Sequence, residues 1–129
     1  MNNRPNPQLL VWWVLWAAFQ VGIVMIYYFL GQATTQSQAN TESSAWLAGL
    51  VPFALSAIIR WVVLPRMGTA QPAFVLAIVG IALAEVCCFL GLFIFPARKL
   101  ELFVISFFGI LQFMPFFAHR YYQTDVRNP

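Results

Sequence analysis

The chain is short of charge. Only 9% of its 129 residues are Asp, Glu, Lys or Arg, where soluble globular domains carry about a quarter. That shortage, with 61% hydrophobic residues, excludes an ordinary water-soluble domain and makes lipid the expected solvent. The net charge of +3 looks basic, but Arg4, Arg66, Arg98, Lys99 and Arg120 flank apolar runs and Arg60 lies inside one. No basic stripe is left to follow a phosphate backbone, so nucleic acid is excluded as a partner. Cysteine is almost absent too. Cys87 and Cys88 are adjacent within an apolar run, whereas a disulfide framework or a zinc site needs separated thiols, so both read as small packing residues. Histidine occurs once, as His119. With no second His and no acid at ligand spacing, no metal and no cofactor is expected. Ser56, Ser106, Cys87 and Cys88 have no base beside them in the apolar runs, so the chain does not read as an enzyme.

What the sequence does have is length without polarity. A bilayer core of about 30 Å needs about 20 apolar residues in helix, and four runs approach that: Leu9 to Gly31, Ala45 to Leu64, Pro72 to Phe95 and Leu100 to Ala118. The first follows a lightly basic start at Arg4, and Gly31 and Ala33 faintly suggest a cleavage site, but the run exceeds the about 15 residues of a signal-peptide core. It reads as a retained span. Between the first two spans, QATTQSQANTESS cannot stay in hydrocarbon and forms an exposed loop. PRMGTAQP, with Pro65, Gly68 and Pro72, and the turn around Pro96, Ala97, Arg98 and Lys99 break the helices and make close neighbours. The expected fold is all-α: one transmembrane domain over residues 1–129, an integral membrane four-helix bundle built as two antiparallel hairpins.

Four crossings put both termini on one side, with Arg4, Arg66, Arg120 and Arg127 and with Arg60 close by, against Arg98 and Lys99 opposite. The excess favours cytoplasmic termini, in a multi-pass protein of the inner (plasma) membrane. Trp46, Trp61, His119, Tyr121 and Tyr122 suit the interfacial belts.

Glu85 carries the most information, because a carboxylate near mid-membrane costs about 2.5 to 3.5 kcal/mol to insert. Hydrocarbon disfavours its charged form, so proton exchange there is physically reasonable. The alternative is a neutral acid that hydrogen-bonds a neighbouring helix. Ala73, Ala77, Gly80, Ala84, Cys87 and Gly91 alternate by four and three, which aligns them as a close-packing seam. Glu85 lies about 120° from that seam, facing another neighbour or a second copy. Trp13, Trp16, Gln20 and Tyr27 share a face of span one, and Gln20 lies at a depth similar to Glu85, as its direct partner. Ser56 and Arg60 align on span two with Gly49 and Phe53, and Arg60 is near enough to the end to snorkel. Gln112 aligns on span four with Glu101, Ile105, Phe108 and His119. The phenylalanines of span four, Phe103, Phe107, Phe108, Phe113, Phe116 and Phe117, surround that helix and read as packing and lipid contact.

GIALAEVCCFLGLFIF resembles the ion-carrying helix of the proteolipid (c) subunit of rotary ATPases, with Ala84, Glu85 and Gly91 matching its small residue, carboxylate and following glycine. Gln20, in WAAFQVGIVMIYYFL, is similar to the amide that replaces the acid in one repeat of four-helix members. The pattern also resembles small four-helix bacterial membrane proteins with an acidic residue in span three. The resemblance implies ion transport: a proton or sodium ion bound at Glu85 with Gln20. The alternative is a non-catalytic accessory or assembly subunit. Either way the expected partners are the lipid bilayer and further protein, as a homo-oligomer or within a larger membrane complex.

Overall fold

The computed structural model describes residues 6–33 and 44–123. Most of the expected polar loop, together with Arg4 and Arg127, lies outside the described residues. All regular structure among the described residues is helical, and four helices are long and apolar enough to cross a membrane: α1 (Pro7–Ala33), α2 (Ser44–Arg66), α3 (Ala70–Phe93) and α4 (Pro96–Tyr122).

Each boundary has a local cause. At the start of α1 the Asn6 side chain accepts the Gln8 N–H at 3.1 Å, and Pro7 opens the helix where an N–H has no partner to lose. α1 ends at Ala33, beyond the expected Gly31, and the Lys99 ammonium donates to the Gly31 carbonyl at 2.7 Å. α3 begins at Ala70, two residues before the expected Pro72, because a proline in the first helical turn costs no hydrogen bond. It closes at Phe93, short of the expected Phe95.

α2 and α4 are irregular, and prolines explain it. In α2, a 3-10 start (Ser44–Leu50) leads into an α-helical turn pair from Val51 to Ile58, then a π-helical stretch (Ile59–Val63). Pro65 follows and offers no N–H to the Trp61 carbonyl, so the regular ladder cannot continue. The α-helical body of α4 (Lys99–Leu111) stops because Pro115 offers no N–H to the Leu111 carbonyl. Met114, the residue before it, is forced extended at φ −50° and ψ 129°. The chain resumes as a 3-10 turn (Pro115–Ala118) and a last helical turn. The continuous fourth helix expected from sequence is thus a broken one.

α3 and α4 form the central pair, and around α3 the fourth helix lies between α1 and α2. The small residues of α3 pack against other helices of the same chain. Ala73, Ala77, Gly80, Ala84, Cys87 and Gly91 are all buried. Gly80 faces the Phe113 ring, Gly91 faces Leu102 and the Lys99 backbone, and Ala84 packs on Gly109. Small hydroxyl and thiol groups use the close approach: Ser106 donates to the Ala84 carbonyl at 2.6 Å and the Cys87 thiol to that of Gly49 at 3.3 Å. α1 packs against α3 and α4, not against α2 as a hairpin partner. The α1–α2 connection is long enough to let α1 dock elsewhere, while the tight turn after α3 holds α4 to it.

Candidate functional site

Two groups of polar residues lie between the helices. The first contains Glu85 and Gln20. Phe74, Ile81, Glu85, Cys88 and Leu92 share one stripe of α3, and its two ends meet α1. The rings of Trp12 and Phe74 cross edge to face at 4.9 Å, and Leu92 packs at Gly31. Glu85 therefore faces α1, about 120° from the seam. On α1, Gln20 belongs to the inward face of Trp12, Trp16, Ile23 and Tyr27, residues that pack in the core.

The direct pairing of Gln20 with Glu85 expected from depth is not made. Both polar atoms of the Gln20 amide are buried without any hydrogen-bond partner, and among the described residues the one ion pair joins Arg98 to Glu101 at 3.1 Å. The reason is axial register. Trp12 pairs with Phe74 and Gly31 with Leu92, which sets Gln20 level with Ile81 and Ala82, and Glu85 level with Ile23 and Val24. The two polar groups are thus about one helical turn, roughly 5 Å, apart along the bundle. They share an interface and stand one step out of line within it.

The second group gathers at the break in α4, and it brings together Ser56, Arg60 and Gln112. The Ser56 hydroxyl, fully buried, donates to the Gly80 carbonyl at 2.7 Å and accepts from the Gln112 amide at 3.3 Å. The Gln112 side-chain oxygen accepts from the Trp61 indole at 3.2 Å, and its backbone carbonyl accepts Arg60 Nε at 2.6 Å. The break frees the Gln112 carbonyl from the helix ladder, and Arg60 of α2 supplies its donor. One turn away the Trp16 indole reaches the Ile110 carbonyl at 3.0 Å. Arg60, expected to snorkel, points from α2 toward the end of α4 that carries Phe117. It is drawn to the Gln112 carbonyl and stacks over the Phe117 ring, 4.3 Å from its centre.

Sequence reasoning missed several contributors. Trp16, Trp61, Phe113 and Pro115 build the second group, and the signal that could have found it was Pro115, a helix breaker inside an apolar run. Tyr121 and Arg120 were placed at the interface but not in their bonded role: both donate to the Leu64 carbonyl, at 2.6 and 3.2 Å, closing the end of α2. Cys87 and Cys88 are buried free thiols. Among the described residues no three His, Cys, Asp or Glu side chains come together. A groove of about 290 Å³, lined by Gln8, Val11, Trp12, Gln71, Phe74 and Tyr122, opens at the termini end, away from both polar groups.

No protein-family description matches the chain, and neither the curated proteins nor the solved structures give a significant match.

Proposed function

We propose that the four helices cross a membrane with both termini cytoplasmic, in the inner (plasma) membrane, and that the bundle handles a proton or monovalent cation between α1 and α3 at Glu85 and Gln20. The observation that carries this reading is the Gln20 amide, buried with both atoms unbonded. Leaving such groups unmet costs about 1–3 kcal/mol each, and a bundle that can close small hydroxyls onto carbonyls elsewhere has no packing reason to keep one. A ligand supplies the reason. Glu85 carries the exchangeable charge, the Gln20 oxygen accepts from a protonated group or coordinates the cation, and the Gln20 nitrogen donates to the carboxylate or to an intervening water. The offset of about one turn leaves room for one such bridge.

The second reading, a non-catalytic accessory or assembly subunit, draws on the near absence of polar chain outside the helices and on the small-residue seam of α3, whose partners here are α2 and α4 of the same chain. A homo-oligomer or a larger complex is compatible with the exposed apolar side chains on every helix.

The test is proton and sodium flux in proteoliposomes under an imposed gradient, with carbodiimide labelling of Glu85. Flux that falls at least tenfold in Glu85→Gln, with labelling slowed by the conducted ion, supports the proposal. A wild-type protein that passes neither ion and whose Glu85 is inert to carbodiimide sinks it.

A further inference from the structure

An ion handled at Glu85 and Gln20 is either a proton or an alkali cation, and the groups around the pair separate the two. A sodium or potassium ion that leaves water needs a shell of oxygens in exchange, supplied inside membrane proteins by rings of backbone carbonyls or by unwound helix ends. Around Gln20 and Glu85 the helices are unbroken. α1 runs as α-helix from Pro7 to Ala33 and α3 from Ala70 to Phe93, so their mid-span carbonyls are committed to the helix ladder. On the inward face of α1 the neighbours of Gln20 are Trp16, Ile23 and Tyr27, and on α3 the stripe of Glu85 carries Ile81 and Cys88. α4 reaches this level with the Phe103 ring, stacked on Tyr27 at 4.1 Å, and with Phe107 against it. Other oxygens in the bundle are already taken. The Gln112 carbonyl, freed by the break in α4, accepts Arg60 Nε at 2.6 Å, and the Ile110 carbonyl accepts the Phe113 N–H and the Trp16 indole, each at 3.0 Å. The Ser106 hydroxyl is turned to the Ala84 carbonyl on the seam. Among the described residues an alkali ion between α1 and α3 therefore meets one carboxylate and one amide oxygen, with the Tyr27 hydroxyl on the next turn.

A proton asks for less. Glu85 takes it from water and becomes a neutral acid, whose O–H donates toward the Gln20 side-chain oxygen. When the proton returns to water, the carboxylate accepts from the Gln20 amide N–H groups, in both states across the one bridging water that the offset of a turn admits. An amide serves both states without changing its own charge, because it carries a donor and an acceptor on one group. Its two unbonded atoms are the two that this exchange uses. We infer that the ion bound and released at Glu85 and Gln20 is a proton and that lithium, sodium and potassium are excluded, an inference that rests on the ion-handling reading and narrows it. The other titratable groups on the elements packed there are Cys88 on α3 and Tyr27 on α1. α4 brings none between Phe103 and Ile110, and its Lys99 and Glu101 lie at the end opposite the termini, bonded to Gly31 and Arg98.

The experiment uses wild-type protein in proteoliposomes. The rate of carbodiimide labelling of Glu85 is followed against pH at constant ionic strength, with sodium, potassium or choline as the only monovalent cation, and proton flux and tracer sodium uptake are measured in the same vesicles. Labelling should fall about tenfold per pH unit once Glu85 ionises, along the same curve in all three salts. Proton flux should persist in choline alone, and sodium uptake should not exceed that of empty vesicles. Proton flux should be lost in Glu85→Gln and keep its pH profile in Cys88→Ala and Tyr27→Phe. Sodium or potassium that slows labelling at fixed pH, or sodium uptake that Glu85→Gln abolishes, overturns the inference and leaves the ion-handling reading standing. Absence of both fluxes with Glu85 inert to carbodiimide overturns the two together. A pH profile that moves in Cys88→Ala or Tyr27→Phe also overturns the inference, by assigning the titration to another group. Because the labelling curves are measured on the wild type, they decide between proton and alkali cation even if a variant does not fold.

Discussion

The ring of Phe113 fills the space that a β-carbon on Gly80 would occupy. This contact joins the middle of α3 to the first residues after the α4 body, and the Gly80 carbonyl also receives the Ser56 hydroxyl. Gly80→Ala should therefore destabilise the bundle by about 1–3 kcal/mol through overpacking, measured by unfolding in mixed micelles. Gly22 is the control: nothing lies within 4 Å of a β-carbon there, so Gly22→Ala should be neutral or gain up to about 1 kcal/mol of helix stability. Equal effects at the two glycines would contradict the packing described.

Removing the unmet amide should have the opposite sign from most core changes. Gln20→Leu keeps the volume and deletes two unbonded polar atoms, so the variant should be more stable by about 1–3 kcal/mol while losing ion flux. A gain in stability bought at the expense of activity marks a site kept for function. If Gln20→Leu is less stable than wild type, the amide has a partner and the ion-handling proposal loses its main support.

The hydrogen bonds at the α4 break make a coupled set. Ser56→Ala removes the donor to Gly80 and the acceptor for Gln112, and Gln112→Leu removes bonds to Ser56 and Trp61. Each should cost about 1 kcal/mol, and the double variant should cost less than the sum by about 0.6 kcal/mol, the usual size of such pairs in membrane proteins. Additive losses would show that the two side chains do not meet.

Topology can be read with thiol reagents without removing the native cysteines, because Cys87 and Cys88 are both buried. Gly68→Cys, in the exposed turn between α2 and α3, should react from the cytoplasmic side, and Ala97→Cys, in the exposed first turn of α4, from the opposite side. The reverse pattern would invert the orientation proposed from the Lys and Arg distribution.

Much of this architecture is legible in the sequence, and the parts that are not share a physical cause. Rotation about a helix axis follows from residue spacing, which is why the buried seam from Ala73 to Gly91 and the separate facing of Glu85 agree with the structure. Sliding along the axis does not, since it is set by side chains such as Trp12 and Leu92 packing on their neighbours. The turn of offset between Gln20 and Glu85 was therefore out of reach. Ser56, Arg60 and Gln112 could be named as polar residues on their own helices. Their meeting depends on the break at Pro115 and the π-helical stretch before Pro65, where local backbone geometry overrides a regular helical projection. The same break leaves the Gln112 carbonyl open to Arg60.

The contacts of α1 also imply an order of assembly. Its hydrogen bonds and ring contacts described above run to α3 and α4, and the bond from the Trp12 indole to the Tyr122 hydroxyl, 3.0 Å long, ties residues 110 positions apart. In the proposed membrane topology, a first helix that enters lipid ahead of the others keeps part of its inward face uncovered until the last helix arrives. The docking of α3 on α1 would then form the interface where Gln20 and Glu85 stand, and the arrival of α4 would lock it through the Trp12–Tyr122 and Trp16–Ile110 bonds.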